Sequence, residues 1–176
     1  MGHSMIDQLS TTGVDLKSNA FLLPDGSEIG CLIYDTNGTD RYKLLNETLY
    51  KKVDGCLLVY DITNRRSFEQ IKDYYIPKIK EKCQQNIVIL LLGNKNDMKE
   101  KRKVSYEEGN DLALDNNFIV KEVSCIENEN VFEIFQNIIE NTFNIKKQNW
   151  NSDNDNISLR SNHHRNLNNE RKIKCC

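Results

Sequence analysis

No stretch of this 176-residue chain approaches the roughly 18–20 consecutive apolar residues that a membrane span requires, so an integral membrane protein is not expected. Met1–Ser10 also lacks the apolar run of a signal peptide, and the expected compartment is the cytosol. Charge of one sign is missing as well. Twenty-four Lys and Arg stand against 26 Asp and Glu, a formal balance of −2, and no global field points to nucleic acid. No Gly-x-Gly-x-x-Gly follows a strand-like run, which leaves a dinucleotide-dependent dehydrogenase a distant expectation. What is present suffices for a core: 38% of residues are hydrophobic and 28% charged, unlike a disordered acidic chain. Of six cysteines, Cys31, Cys56, Cys83 and Cys125 lie in or beside apolar runs and read as reduced core thiols. Cys175 and Cys176 end the chain and stand apart.

Composition changes near Lys146. Residues 1–145 alternate short apolar runs with helical patterns, whereas residues 146–176 are rich in Asn with little to bury. The second segment is expected to be a disordered tail. It holds seven Lys and Arg against three Asp and Glu, a balance of +4, so the body carries −6. A basic tail suits an anionic surface such as the cytosolic face of a membrane, and equally a merely solvated segment.

The body predicts a mixed α/β fold. Val14–Leu23 and Glu28–Tyr34 flank Pro24-Asp25-Gly26-Ser27, a turn sequence in which Pro presets φ and Gly accepts positive φ, so an antiparallel hairpin is expected. Cys56–Tyr60 and Ile87–Leu92 are unbroken apolar runs, as in parallel strands buried on both faces. Phe118–Val123 is a weaker strand. Phe68, Ile71, Tyr75 and Ile79 recur at helical spacing, as do Val131, Phe135, Ile138 and Thr142, with Phe132, Ile139 and Phe143 alongside. Alternation of this kind predicts a twisted sheet with crossover helices on both faces.

Ligands in such sheets sit at the carboxyl ends of strands, so the residues leaving each strand are the candidates. They are Asp35-Thr36-Asn37-Gly38 after the hairpin, Gly93-Asn94-Lys95-Asn96-Asp97 after the long apolar run, and Ser124-Cys125 after the weak strand. Ser10-Thr11-Thr12-Gly13-Val14-Asp15 precedes the first strand. Asn94-Lys95-x-Asp97 suits guanine, because a carboxylate accepts from the base's N1–H and exocyclic amine together, a donor pair that adenine lacks.

With Leu57-Leu58-Val59-Tyr60-Asp61-Ile62-Thr63 and Tyr50-Lys51-Lys52-Val53-Asp54-Gly55, these pieces resemble a small GTPase of the Ras superfamily, most closely the Rab family, from about Ser10 to Phe143. The resemblance implies a Ras-like G-domain sheet and binding of GTP/GDP with Mg²⁺. It assigns Asn94, Lys95 and Asp97 to the base, with the main-chain N–H groups of Ser124 and Cys125 facing the guanine oxygen and Ile126, in place of the usual Lys, covering the second face. Asp35 becomes the partner of a Mg²⁺-bound water, Thr11 the switch residue that ligates the metal, and Gly38 the close approach to the γ-phosphate. Arg171-Lys172-Ile173-Lys174-Cys175-Cys176 is similar to the Rab family's double geranylgeranyl ending, two lipids with a polybasic stretch making a stable anchor. Partners implied are a prenylation escort, an exchange factor and effectors reading Thr11–Asp15 and Arg41–Val53. Localisation is expected at the cytoplasmic face of a membrane, with a cytosolic escorted pool.

The sequence departs from the family at two places that matter to function. Thr39 stands where relatives carry the Gln that orients the attacking water, so slow hydrolysis is expected and no residue is assigned as catalytic. No Gly-x-x-x-x-Gly-Lys-Ser/Thr occurs, so the family's central first strand and phosphate loop are expected to be absent. The flanking strands would then expose unpaired N–H and C=O groups, and the domain of residues 1–145 should fold poorly or rearrange. The main expectation is a Rab-like, membrane-anchored GTP-binding switch in vesicle traffic. The alternative is a prenylated, non-catalytic interaction protein, or a fragment of a longer GTPase, that binds no nucleotide.

Overall fold

The structure, a computed structural model, describes residues 14–36, 49–84, 86–157 and 172–175. The expected hairpin is present: β1 (Val14–Leu22) pairs antiparallel with β2 (Glu28–Thr36) from Val14↔Thr36 to Leu22↔Glu28. Its turn closes by two main-chain bonds, Gly26 N–H to the Leu23 carbonyl (2.9 Å) and Leu23 N–H to the Ser27 carbonyl (2.8 Å). Gly26 sits at φ +80°, a conformation that glycine adopts without steric cost. Hydrogen bonds from Ser27 to the Asp25 carboxylate fix the turn further and hold that carboxyl below its ordinary value.

The order continues with β3 (Gly55–Asp61), α1 (Arg65–Gln70), a π-helical stretch (Ile71–Tyr75), α2 (Ile76–Lys82), β4 (Val88–Asn94), a 3₁₀ stretch (Asn96–Lys101), α3 (Tyr106–Asn116), β5 (Ile119–Glu122), α4 (Val131–Ile157) and β6 (Lys172–Cys175). These strands make one six-stranded sheet in the order β1-β2-β6-β3-β4-β5, parallel except for β1. The mixed α/β architecture is as expected.

Alternation along β4 divides the core in two, because successive side chains of a strand face opposite sides of the sheet. Val88, Leu90 and Leu92 join Ile134, Ile138 and Ile139 of α4, together with Phe21, Leu23, Ile29 and Cys31 of the hairpin. Ile89 and Leu91 instead join Phe68, Ile71, Ile76, Ile79 and Ala113 on the opposite face, with Cys56, Leu58 and Tyr60 of β3. Burial on both faces is the reason that β4 reads as an unbroken apolar run.

Three particulars differ from expectation. The stripe Phe68-Ile71-Tyr75-Ile79 becomes Phe68-Ile71-Ile76-Ile79, since the π-helical stretch adds a residue to one turn and rotates the rest. Pro77 explains its location. An α-helical Pro77 would lack the N–H due to the carbonyl of Asp73 and would crowd it, and the widened turn relieves both. Second, α4 continues past Lys146, where the tail was expected to begin, as far as Ile157. Its burial lasts through Thr142, and the Lys146 Nζ meets the Asp54 Oδ2 at 2.8 Å, fastening this turn to the entry of β3. Third, part of that tail is a strand. β6 lies parallel between β2 and β3, the place that the resemblance assigns to the family's first strand, with Gly30↔Lys172 through Ile33↔Cys175 on one side and Gly55↔Cys175 on the other. Main-chain pairing at this place in the sheet is made by the segment Lys172–Cys175. Thr11, Asn37, Gly38, Thr39 and Cys176 lie outside the described residues.

Tyr60 is fully buried and its hydroxyl has no hydrogen-bond partner among the described residues. Burial, with the Glu122 charge adding to it, pushes the phenol up to about 12 from 10.0. A Cβ placed on Gly109 of α3 would come within 2.5 Å of that hydroxyl, so Gly109 is what lets α3 lie against β3. Gly109→Ala should lower stability by about 1–3 kcal/mol, as overpacking does, and Tyr60→Phe should recover most of the loss by removing the clashing oxygen. Urea midpoints of the two single variants and the double variant measure this. Because the folded phenol titrates above the unfolded one, stability should also decline between pH 10 and about 12, and Tyr60→Phe should remove that part of the decline.

Candidate functional site

The carboxyl ends of the parallel strands bring the candidates to one edge of the sheet. Asn94 ends β4, and its Oδ1 accepts from the Lys95 N–H (2.8 Å) and the Cys125 N–H (3.3 Å), tying the loop after β4 to the loop after β5. Lys95 takes a left-handed conformation (φ 69°, ψ 38°) that reverses the chain immediately after the strand. Asp97 is then held from the far side: the Ser124 Oγ, fully buried, donates to the Asp97 Oδ1 at 2.6 Å. The same Oγ accepts from the Glu127 N–H at 3.1 Å. Asn96 completes the join, its N–H donating to the Val123 carbonyl (2.9 Å) and its amide to the Glu129 carboxylate (3.0 Å).

Two ion pairs that the sequence reading did not single out support this edge. The Lys95 Nζ meets the Asp61 Oδ2 at 2.6 Å, while the Asp61 Oδ1 accepts from the N–H (2.8 Å) and hydroxyl (2.7 Å) of Thr63. Asp61 was visible only as part of a strand signature, and nothing in the sequence linked it to a lysine 34 positions later. The register Asp61↔Asn94 makes the link. Burial pushes the Asp61 carboxyl up, but the hydrogen bonds from Lys95 and Thr63 outweigh it and the net displacement is downward. The second pair is the Arg102 guanidinium forked on Glu122 at 2.5 and 2.9 Å, a bidentate grip that pins the end of β5 to the segment after Asp97.

Asn94, Lys95, Asp97, Ser124 and Cys125 thus come together in two facing loops, and the adjacent Ile126 is 82% exposed. The main-chain N–H groups of Ser124 and Cys125, expected to face the guanine oxygen, are engaged within the protein: Ser124 donates to the Glu129 carbonyl (3.3 Å), Cys125 to Asn94. Both bonds are long, at the weak end of the range. Cys125 is exposed in its loop and Cys83 half-buried, so only Cys31 and Cys56 are buried core thiols as expected. Asp35 is exposed near the end of β2, on the same edge of the sheet. It is the one described residue of the expected metal set. No group of three or more His, Cys, Asp or Glu suited to a metal occurs among the described residues, and a single carboxylate does not define a magnesium site. The donor set does fit a guanine base: a carboxylate in a fixed orientation, an asparagine locking two loops, and an apolar side chain available to cover a ring.

The family model described as "Ras family" matches residues 4–144. The chain belongs to the Ras family. Its relatives are of the Rab type. The chain is 36% identical over 140 residues to the GTP-binding protein ypt3 of Schizosaccharomyces pombe, covering 80% of this chain and 64% of that protein. It is 40% identical over 127 residues to the Ras-related protein Rab-8B of Homo sapiens (72% and 60%) and 36% identical over 143 residues to the Ras-related protein RGP2 of Oryza sativa subsp. japonica (81% and 65%). It is thus a Rab-type member of the superfamily of small GTPases that spans about 60–65% of the length of these relatives.

Two substitutions test the arrangement of this Ras-family loop pair. Ser124→Ala removes a buried donor to Asp97 and an acceptor for the Glu127 N–H, and should cost about 1–3 kcal/mol in urea unfolding. The Asp61 carboxyl, held below 3.8, contributes stability that is present above pH 3.8 and is lost as pH falls through its folded value. Asp61→Asn should flatten that acid-side decline, read from unfolding midpoints between pH 2 and 6.

Proposed function

We propose that this chain is a Rab-like GTP-binding switch of intracellular vesicle traffic, attached to the cytoplasmic face of a membrane by lipid on Cys175 and Cys176, with weak or no intrinsic hydrolysis. The single observation that carries the nucleotide reading is the Ser124–Asp97 bond inside the Asn94-tied loop pair. It supports the reading because a carboxylate of fixed orientation suits two charge-assisted hydrogen bonds from the N1–H and amine of guanine, while adenine would leave it facing an acceptor. On this reading the Lys95 stem, anchored at its tip by Asp61, would line one face of the base, and the exposed Ile126 would cover the other. Asn94 keeps the two loops together as the base enters. On this reading the two states would differ by the γ-phosphate of a bound guanosine triphosphate. Thr11 and Gly38 are the residues assigned to sensing it. With Thr39 in the position of the water-orienting Gln, the chain's own groups offer no assigned catalytic residue, and switching relies on exchange factors and effectors as partners.

No helix among the described residues is long and apolar enough to cross a membrane. The basic stretch Arg171–Lys174 beside two terminal cysteines supports attachment by lipid, since two chains with a polybasic segment give a stable anchor where one is marginal. A second reading, an interaction protein without nucleotide, is favoured by the internal engagement of the Ser124 and Cys125 N–H groups.

Equilibrium titration of the purified chain with GDP, GTP, ADP and ATP decides between these readings. The switch requires micromolar or tighter binding of guanine nucleotides alone. Asp97→Ala should weaken that binding about 100-fold or more, the worth of two bonds to a charged acceptor at about 1.5–3 kcal/mol each. Absence of binding to the unaltered chain leaves the interaction protein. In cells, Cys175→Ser/Cys176→Ser should shift the chain from the membrane to the soluble fraction, and unchanged partitioning would refute the anchor.

A further inference from the structure

β2 and β3 are not paired with each other, and among the described residues the hairpin enters the ladder of β3, β4 and β5 only through β6. Their inner edges carry the obligatory N–H and C=O groups of two parallel strands, which need ladder partners. We infer that the gap between β2 and β3 is a strand-acceptor slot that the chain closes with its own Lys172–Cys175, so that seating of this segment and exposure of the Cys175–Cys176 end are mutually exclusive. The second half of this inference rests on the lipid-anchor reading above, whereas the slot itself does not.

The register supports the slot. Four consecutive residues of β6 pair with Gly30–Ile33 of β2, and the last of them, Cys175, also stands opposite Gly55 at the entry of β3. Gly55 is itself confined: a Cβ there would meet the Ile138 Cδ1 at 3.0 Å and the Thr142 Oγ1 at 3.1 Å. The point where β6 touches β3 is therefore a close approach of β3 to α4. Reach is not limiting. Residues 158–171 separate α4 from β6, and fourteen residues span up to about 45–50 Å when extended. The alternation Lys172-Ile173-Lys174-Cys175 is also the period-2 pattern of a strand with one apolar face.

Exclusivity follows from the main chain. At Cys175 the backbone has a strand on either side, so an enzyme that grips the C-terminal peptide must first withdraw it. In the modification itself, the Cys175 sulfur would displace pyrophosphate from C1 of an isoprenyl diphosphate. A thioether forms, the C–O bond breaks, and the thiol proton passes to solvent. An enzyme that holds the C-terminal peptide by its main chain competes with β2 and β3 for the same groups. A lipidated, membrane-held tail in turn leaves the slot open to a strand of the same register, supplied by a partner through its main chain.

The test is amide hydrogen exchange by NMR on the full chain and on Ile173→Pro, which removes an N–H and bars the residue from a ladder interior. In the unaltered chain, those Gly30–Ile33 amides that point away from β1 should be protected. In the variant their exchange should quicken at least tenfold, with Leu57–Val59 unchanged, and a synthetic peptide of residues 171–175 added in trans should restore protection. Protection that persists in the variant overturns the inference, because another segment then fills the slot. Should the variant not fold, exchange of the Ile173–Cys175 amides in the unaltered chain serves. Exchange of those that point into the ladder at least tenfold slower than in a free peptide of residues 171–175 supports the seated strand, and equal rates overturn it. The anchor is scored separately: if Cys175→Ser/Cys176→Ser keeps both its exchange pattern and its membrane partitioning, the exclusivity falls with the anchor and the slot stands.

Discussion

The ladder that β4 makes with β3 and β5 is the constraint on which both cores and the loop chemistry depend. Parallel pairing fixes which residues leave the sheet at the same level, and the pairs Asp61↔Asn94 and Gly93↔Glu122 bring three chain segments to one edge. A slip by one residue would turn every side chain of β4 to the other face, exchanging the α4 core for the α1–α2 core. It would also part Lys95 from Asp61 and Asp97 from Ser124. The apolar run Val88–Leu92 therefore sets the geometry of a polar site in which none of its side chains takes part.

What that site gains from the sheet is orientation of charge. Asp97 and Asp61 both stand at strand ends, yet their surroundings differ in kind. Asp61 is satisfied by a lysine and by Thr63, so its charge is used within the protein. Asp97 has its Oδ1 fixed by a neutral hydroxyl and makes no ion pair among the described residues, so its charge is left for a donor from outside the protein. Arg102 and Glu122 absorb each other's charge in a fork just beneath.

Much of the fold was legible because its signals are local. The hairpin follows from Pro24–Ser27, the two-faced β4 from an unbroken apolar run, and the loop pair from Asn94-Lys95-x-Asp97 and Ser124 at strand ends. Other features depended on contacts distant in sequence. The π-helical stretch before Pro77 moved one member of the buried stripe from Tyr75 to Ile76, which a fixed 3.6-residue period cannot anticipate. Lys95–Asp61 and Arg102–Glu122 required knowledge of strand register. Lys146 looked like the start of a solvated tail by composition, yet its pairing with Asp54 belongs to a helix that composition alone does not extend.

The same distinction bears on the C-terminal segment. Four residues reading Lys-Ile-Lys-Cys carry too little apolar surface to form a strand by themselves, and beside two cysteines they invite a reading as a membrane address. Their strand character comes from the edges that receive them. Main-chain donors and acceptors on β2 and β3 are indifferent to side-chain identity, so a weakly encoded segment tethered nearby can satisfy them. A tether of fourteen residues raises the effective concentration of that segment well above what a free peptide reaches, which compensates for its low intrinsic preference. The same logic governs any segment seated there: the receiving edges set the register, Gly30↔Lys172 through Ile33↔Cys175, whatever the side chains are.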